Sequence, residues 1–250
     1  MKKALRTTAL ILSIFALMLT IAACDQNTNE ITDKAYYDYN NSDTGKGTDI
    51  RTSRGEKKID TYQISDFVAS DKESDYILIK IKNYGDVVVL LRSDVAPVTV
   101  ANFKKLVKEK FYDGTAFHRV IEHFMIQGGG SIVVPDKDGK GTVFEPKESS
   151  SILGEFTSNG FENNLRHVRG VISMARANDK NSASSQFFII HESNESSAYL
   201  NGNYAAFGYV LAGMDVVDKI ATCKVLAADT DAPVPIEDVI IESATFVEPK

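Results

Sequence analysis

Between Phe117 and Gly130 the chain reads FHRVIEHFMIQGGG, which sets one guanidinium and one primary amide, Arg119 and Gln127, on either side of the apolar pair Phe124-Met125. Arginine stays charged at every working pH and presents a planar fork of donors. A carboxamide donates and accepts, whereas the aromatic ring and the thioether make an apolar wall. Such a set can hold and polarise a ligand, but it contains no nucleophile. His118 and His123 stand five apart with no cysteine or clustered carboxylates to complete a metal site. Ser173 and Ser184 lack the G-x-S-x-G setting of a hydrolase nucleophile. Gly128-Gly129-Gly130 lacks the Lys-Ser/Thr of a phosphate loop, and is expected to permit a turn and close approach of a ligand. Taken singly, Phe124 and Met125 read as core, Arg119 as a surface cation and Gln127 as a strand-edge amide.

The elements that must carry these residues are short strands. YILIKIKNYGDVVVLLRS holds two apolar runs around Asn83-Tyr84-Gly85-Asp86, the pattern of a hairpin. A helix follows, with Pro97 in its first turn and Val100, Phe103, Leu106 and Val107 on one face. TAFHRVI, FMIQGG, GVISMAR, SQFFII, AAFGYVL and DVIIESATF read as further strands, and GMDVVDKIA as a second helix presenting Met214, Val217, Ile220 and Ala221. Many short strands with two helices suggest a barrel or a sandwich with helical caps, and periodicity alone does not choose between them.

FHRVIEHFMIQGG, GVISMARA, SQFFI and YLNGNYAAFG occur in the order and rough spacing of the cyclophilin peptidyl-prolyl isomerases, and the resemblance covers about residues 76–248. It implies a mainly β fold, a closed eight-stranded antiparallel barrel capped by two α-helices, with a groove on its outer surface and no cofactor. By the same resemblance Arg119, Gln127 and Phe124 are the expected catalytic residues. Phe124, Met125, Phe188 and Leu200 would line a proline pocket; Gln127, Ala175 and the backbone of Arg176 would hold the peptide. Phe117, His118 and Gln186 are expected in the supporting shell, with Tyr199 and Tyr204 at the rim. The chain departs from the best-known eukaryotic members, with Tyr199 in place of tryptophan, Tyr204 of histidine and Arg176 of asparagine. Residues 131–156 are also less glycine-rich than expected beside a groove.

The chemistry explains the mixture of residues. Rotation about a peptide C–N bond is opposed by roughly 18–20 kcal/mol because that bond is partly double. The two ends of an X–Pro bond are nearly degenerate, so the obstacle is kinetic. A cation at the prolyl nitrogen stabilises its pyramidal form and weakens amide resonance in the twisted state, which is electrostatic stabilisation of a transition state. A barrier lowered by about 7 kcal/mol gives about 10⁵ in rate. A non-catalytic chaperone or scaffold using the same groove is the alternative, but mere binding does not require Arg119.

The ends of the chain suggest a location. Lys2, Lys3 and Arg6 precede an uncharged run from Thr7 to Ala23, and IAAC closes it at Cys24. This resembles a bacterial lipoprotein leader, residues 1–23, which implies cleavage before Cys24 and lipidation of its sulfur. An uncleaved membrane helix is the rival, and either way the body lies outside the cytoplasm. Residues 24–72 read as a polar tether, with a span of roughly 35–40 Å if fully flexible; within it YYDY (36–39) and TYQISDFV (61–68) read as scattered aromatics of a linker, with docking on the domain or on a partner as the alternative. Residues 73–250 are the expected domain. With Cys24 lipidated, Cys223 has no intramolecular partner and reads as a small buried residue. Without the three leader cations, 25 basic side chains face 34 acidic ones, a balance of −9 that disfavours nucleic acid. Proline-containing, unfolded polypeptides and the membrane are the expected partners, and a monomer the expected state.

Overall fold

The computed structural model describes residues 49–52, 55–58, 62–137, 141–228 and 230–250. The expected leader, Cys24 and YYDY lie outside them. β1 (Asp49–Thr52) pairs antiparallel with β2 (Gly55–Lys58). A 3-10 turn over Ile64–Asp66 then leads into β3 (Phe67–Ala69), β4 (Tyr76–Ile81), β5 (Gly85–Leu91), α1 (Pro97–Lys108) and β6 (Thr115–Ile121). β7 (Met125–Pro135), β8 (Thr142–Pro146), β9 (Val171–Met174), β10 (Phe187–Ile190) and α2 (Glu195–Tyr199) follow. The chain continues through β11 (Ala206–Ala212), α3 (Met214–Ala221), β12 (Val225–Leu226), β13 (Val234–Pro235) and β14 (Ile241–Pro249).

Local sequence explains the main elements. In the β4–β5 hairpin Asn83 (φ 66°) and Gly85 (φ 127°) adopt the left-handed backbone that the reversal requires. Pro97 opens α1, where its missing N–H costs nothing, and Val100, Phe103, Leu106 and Val107 are all buried. The next two amides of that helix, Val98 and Thr99, donate to the carboxylate of Glu155 at 2.9 and 2.7 Å. Glu155 is fully buried, so a distant loop caps α1 in place of a local side chain. Phe103 carries α1 into the core, against Tyr112, Phe207 and Phe187 at ring-centroid distances of 4.8, 5.2 and 5.5 Å. α3 buries the four expected residues together with Val216.

The fold is mainly β, with few helices. Its principal sheet has ten strands in the order β3-β14-β4-β5-β11-β9-β10-β7-β6, with β8 added on β7. The ladders form an open path and not the closed eight-stranded ring that was expected. Without β3 and β8, eight of the ten strands remain. The last of them, β6, meets the approach to β14 through one isolated bridge, Ala116–Ile240, and not through a ladder. The Gly114 and Phe117 amides reinforce that contact, donating to the Ile241 and Val239 carbonyls at 2.8 and 2.9 Å.

The sheet also takes in part of the stretch expected as tether. β3 pairs with the end of β14, and Phe67 is buried against Tyr62 and Tyr76. The Tyr62 amide donates to the Leu211 carbonyl at 3.2 Å. Residues 62–68 therefore dock on the domain, with Ile64 packed partly buried against the core and Phe67 buried in it. A chain that starts at residue 73 is expected to be less stable than one that starts at residue 62 by about 2 kcal/mol, the worth of burying the Phe67 side chain. Urea unfolding of the two chains checks this, and coincident curves would show that β3 contributes nothing.

Candidate active site

Strand register brings the expected residues to one face. Arg119 on β6 lies opposite Gln127 on β7, and Gln127 lies opposite Phe188 on β10. Residues directly opposite across a ladder share a face, so these three form a row across three strands. Met125, two residues before Gln127, points to the same side. A bulge makes the row possible. Phe117 pairs with Gly128 while Arg119 pairs with Gln127, so two steps on β6 match one on β7. The extra residue reverses the alternation, and Phe117 turns inward while Arg119 turns outward. Phe117 is fully buried with its ring edge-on to Phe187 at 5.9 Å, so it supports the site from below and does not line a groove.

The guanidinium is held from two sides. Nε of Arg119 donates to the Asp231 carbonyl at 2.6 Å and Nη1 donates to Gln127 Oε1 at 3.1 Å. Nη1 also lies 3.9 Å from Met125 Sδ, so the cation faces the apolar wall. Burial pulls its pKa below the ordinary value, against Asp231 and Tyr204, yet an arginine so placed stays charged. Gln127 Nε2 donates onward to Gln186 Oε1 at 3.0 Å, and the Gln186 carbonyl accepts from the Ala175 amide at 2.9 Å. Gln186 fits because residue 130 is glycine: a Cβ there would lie 2.2 Å from Gln186 Cγ. At Gly129, with φ +81°, a Cβ would meet the Phe187 ring at 2.6 Å. The glycine run thus admits neighbouring side chains of the protein itself, and no turn is made there.

The apolar wall has its own supports. The His167 ring stacks on Phe188 at 6.0 Å and 20°. The Asn201 side-chain oxygen accepts from the His167 amide at 2.7 Å and lies 3.2 Å from Nδ1, which leaves Nε2 to accept from the Ser173 hydroxyl at 2.8 Å. Tyr204 meets Phe188 edge-on at 5.9 Å. Arg176 lies over the rings of Tyr204 and Phe156 at 4.7 and 5.1 Å, and its Nε donates to the Asn203 carbonyl at 3.0 Å. Leu200 and Met125 are buried and Phe124 is half-buried. His118 is buried beside Phe144, with centroids 6.2 Å apart. Tyr199, by contrast, projects into solvent with 63% of its surface exposed. The supports at Asp231, His167, Asn201 and Phe156 were not expected. The first is a backbone carbonyl, which carries no side-chain signal, and the others lie far away in the chain.

An outward guanidinium in an apolar setting, tied to the Asp231 carbonyl and the Gln127 carboxamide, is chemically equipped to hold and polarise a peptide group. Residues 76–246 match the cyclophilin type peptidyl-prolyl cis-trans isomerase/CLD family. The chain is 42% identical over 171 residues to peptidyl-prolyl cis-trans isomerase B of Escherichia coli K12, covering 66% of this chain and 96% of that one. It is 41% identical to isomerase cyp18 of Streptomyces antibioticus over 65% of this chain and 93% of the other. The crystal structure of a Cryptosporidium parvum cyclophilin type isomerase, obtained in the presence of the dipeptide Ala-Pro, aligns with a TM-score of 0.53 and 31% identity. That alignment covers 68% of this chain and 98% of that one. The chain belongs to the cyclophilin-type peptidyl-prolyl cis-trans isomerases, and it isomerises X–Pro peptide bonds.

The four histidines differ in environment. Burial pushes His118 down to about 4, with Arg119 acting in the same direction against the Ala116 backbone and the Gln186 side chain. Burial does the same to His167, also to about 4, against Asn201. His123 is raised by its hydrogen bond to Glu192, and His191 is lowered by burial. On acidification His123 is expected to protonate first and His118 and His167 last, near pH 4, as read from ring-proton NMR shifts. A histidine with a depressed folded pKa stabilises the fold while neutral. That stability is fully present above pH 6.5 and is lost as pH falls towards 4, on the order of 3 kcal/mol from each. Titration of either buried ring near pH 6.5 would contradict this.

Proposed function

We propose that this isomerase assists the folding of secreted and surface proteins outside the cytoplasm, held at the bacterial cell membrane by lipidated Cys24 and working as a monomer. The leader ending in IAAC supports the location, and a site drawn from a single chain requires no second copy. Clients emerging unfolded would present X–Pro bonds whose uncatalysed isomerisation takes tens of seconds.

In this reading Phe124, Met125, Phe188 and Leu200 receive the pyrrolidine ring, while Gln127 and the Ala175–Arg176 backbone hold the flanking amides. Arg119 donates to the prolyl nitrogen as it becomes pyramidal. The wall meets the ring in the cis, trans and twisted states alike and so contributes to uniform binding. The cation meets a lone pair that exists only in the twisted state, so its contribution appears in the rate. Closure of the eight-strand path into a barrel belongs to the same reading. The Ala116–Ile240 bridge would be its seam, and would fix β6 with Arg119 upon it.

The single observation that carries the assignment is Arg119, aimed at Met125 and fixed by Asp231 and Gln127. In a protease-coupled assay on an Ala-Pro peptide, Arg119→Ala is expected to lower kcat about 10²-fold or more, the scale of removing one preorganised transition-state donor. Equal rates for variant and wild type would defeat the assigned role. Mass spectrometry of the mature N-terminus tests the anchor, and an unprocessed residue 1 or an unmodified Cys24 would remove it.

A further inference from the structure

Between β6 and β7 the chain reverses through Glu122, His123 and Phe124. His123 adopts a left-handed backbone, φ 64°, which a side-chain-bearing residue seldom takes unless its surroundings hold it. All three polar parts of His123 are held by the loop between β10 and α2. Its amide donates to His191 Nδ1 at 3.2 Å, its carbonyl accepts from the Asn194 side chain, and its ring Nδ1 lies 2.7 Å from Glu192 Oε2. The Phe124 carbonyl accepts from the His191 amide at 2.9 Å. The same Asn194 caps α2, which leads directly into Leu200.

His191 is itself fixed. It is buried, its Nε2 lies 3.4 Å from Asp218 Oδ1, and Asp218 is paired with Arg169 at 2.7 and 2.8 Å. Arg169 Nη1 also donates to the His191 carbonyl at 2.7 Å. A carboxylate beside Nε2 places the ring proton there and leaves Nδ1 free to accept. Arg169, Asp218, His191 and His123 therefore form a continuous line of contacts from α3 to the residue before Phe124.

We propose that His191 is a positioning residue for the isomerase: through its Nδ1 it fixes the left-handed turn at His123 and thereby sets the Phe124 wall. The proposal rests on the reading of Phe124 as part of the proline pocket. Because the wall contributes uniform binding, its displacement raises KM and spares kcat, the reverse of losing Arg119.

The test measures KM and kcat of the full chain on an Ala-Pro peptide for wild type, Phe124→Ala, His191→Ala and His191→Asn. The asparagine oxygen can take the place of Nδ1, whereas both His191 variants lose the Asp218 contact, so thermal melting is expected to fall in both, and further in His191→Ala, which also leaves the His123 amide unpaired. His191→Ala is expected to raise KM about tenfold with kcat within about twofold, and His191→Asn to recover most of that loss. If His191→Ala does not fold, His191→Gln, whose amide reaches only the Nε2 position, replaces it with the same expected KM. Equal KM in the two variants, or wild-type KM in His191→Ala, would overturn the proposal. Wild-type KM in Phe124→Ala would overturn the pocket assignment beneath it.

Discussion

The site depends on one guanidinium that is fixed before any substrate arrives. Arg119 is aimed outward by a bulge in β6 and held between a backbone carbonyl and Gln127. A flexible arginine would have to be ordered at the moment of reaction, which costs entropy and weakens any gain in the twisted state. Here that cost is met on folding. The neighbouring features extend the same constraint: Gly130 leaves space for Gln186, Gln186 accepts from Gln127, and Gln127 accepts from Arg119.

The apolar side of the site is built by different means. Phe188 is backed by the stacked His167 ring, which is itself tied to Ser173 and Asn201. Tyr204 closes the other side, with the Arg176 cation over its face. Two cations thus border one aromatic cluster with separate contacts: Arg119 is tied to the Asp231 carbonyl and Gln127, and Arg176 is bound to the carbonyls of Asn203 and Ala177. Beneath lies a buried aromatic cluster of Phe103, Tyr112, Phe187 and Phe207 within a larger aliphatic core. It gives the bulged strand a rigid base.

Much of this was legible in the sequence because the signals were local. The β4–β5 hairpin, the buried faces of α1 and α3, and β6 itself follow from periodicity and turn residues. The site residues came together because four blocks matched a family in order. What escaped is non-local or carried by backbone. The Asp231 carbonyl has no side-chain signature, and no composition rule announces a bulge that separates Phe117 from Arg119. Glu155 carries no local signal, since it caps a helix more than fifty residues away. β3 was hidden because only Ile64 and Phe67 dock an otherwise polar segment. The glycine run was read as room for a ligand, whereas the space is taken by Gln186 and Phe187.

The most direct test is a crystal structure of the protein with a bound Xaa-Pro peptide. The pyrrolidine ring is expected against Phe124, Met125 and Phe188, with an Arg119 nitrogen about 3 Å from the prolyl nitrogen. A peptide whose proline sits elsewhere, or whose prolyl nitrogen faces no guanidinium, would contradict this.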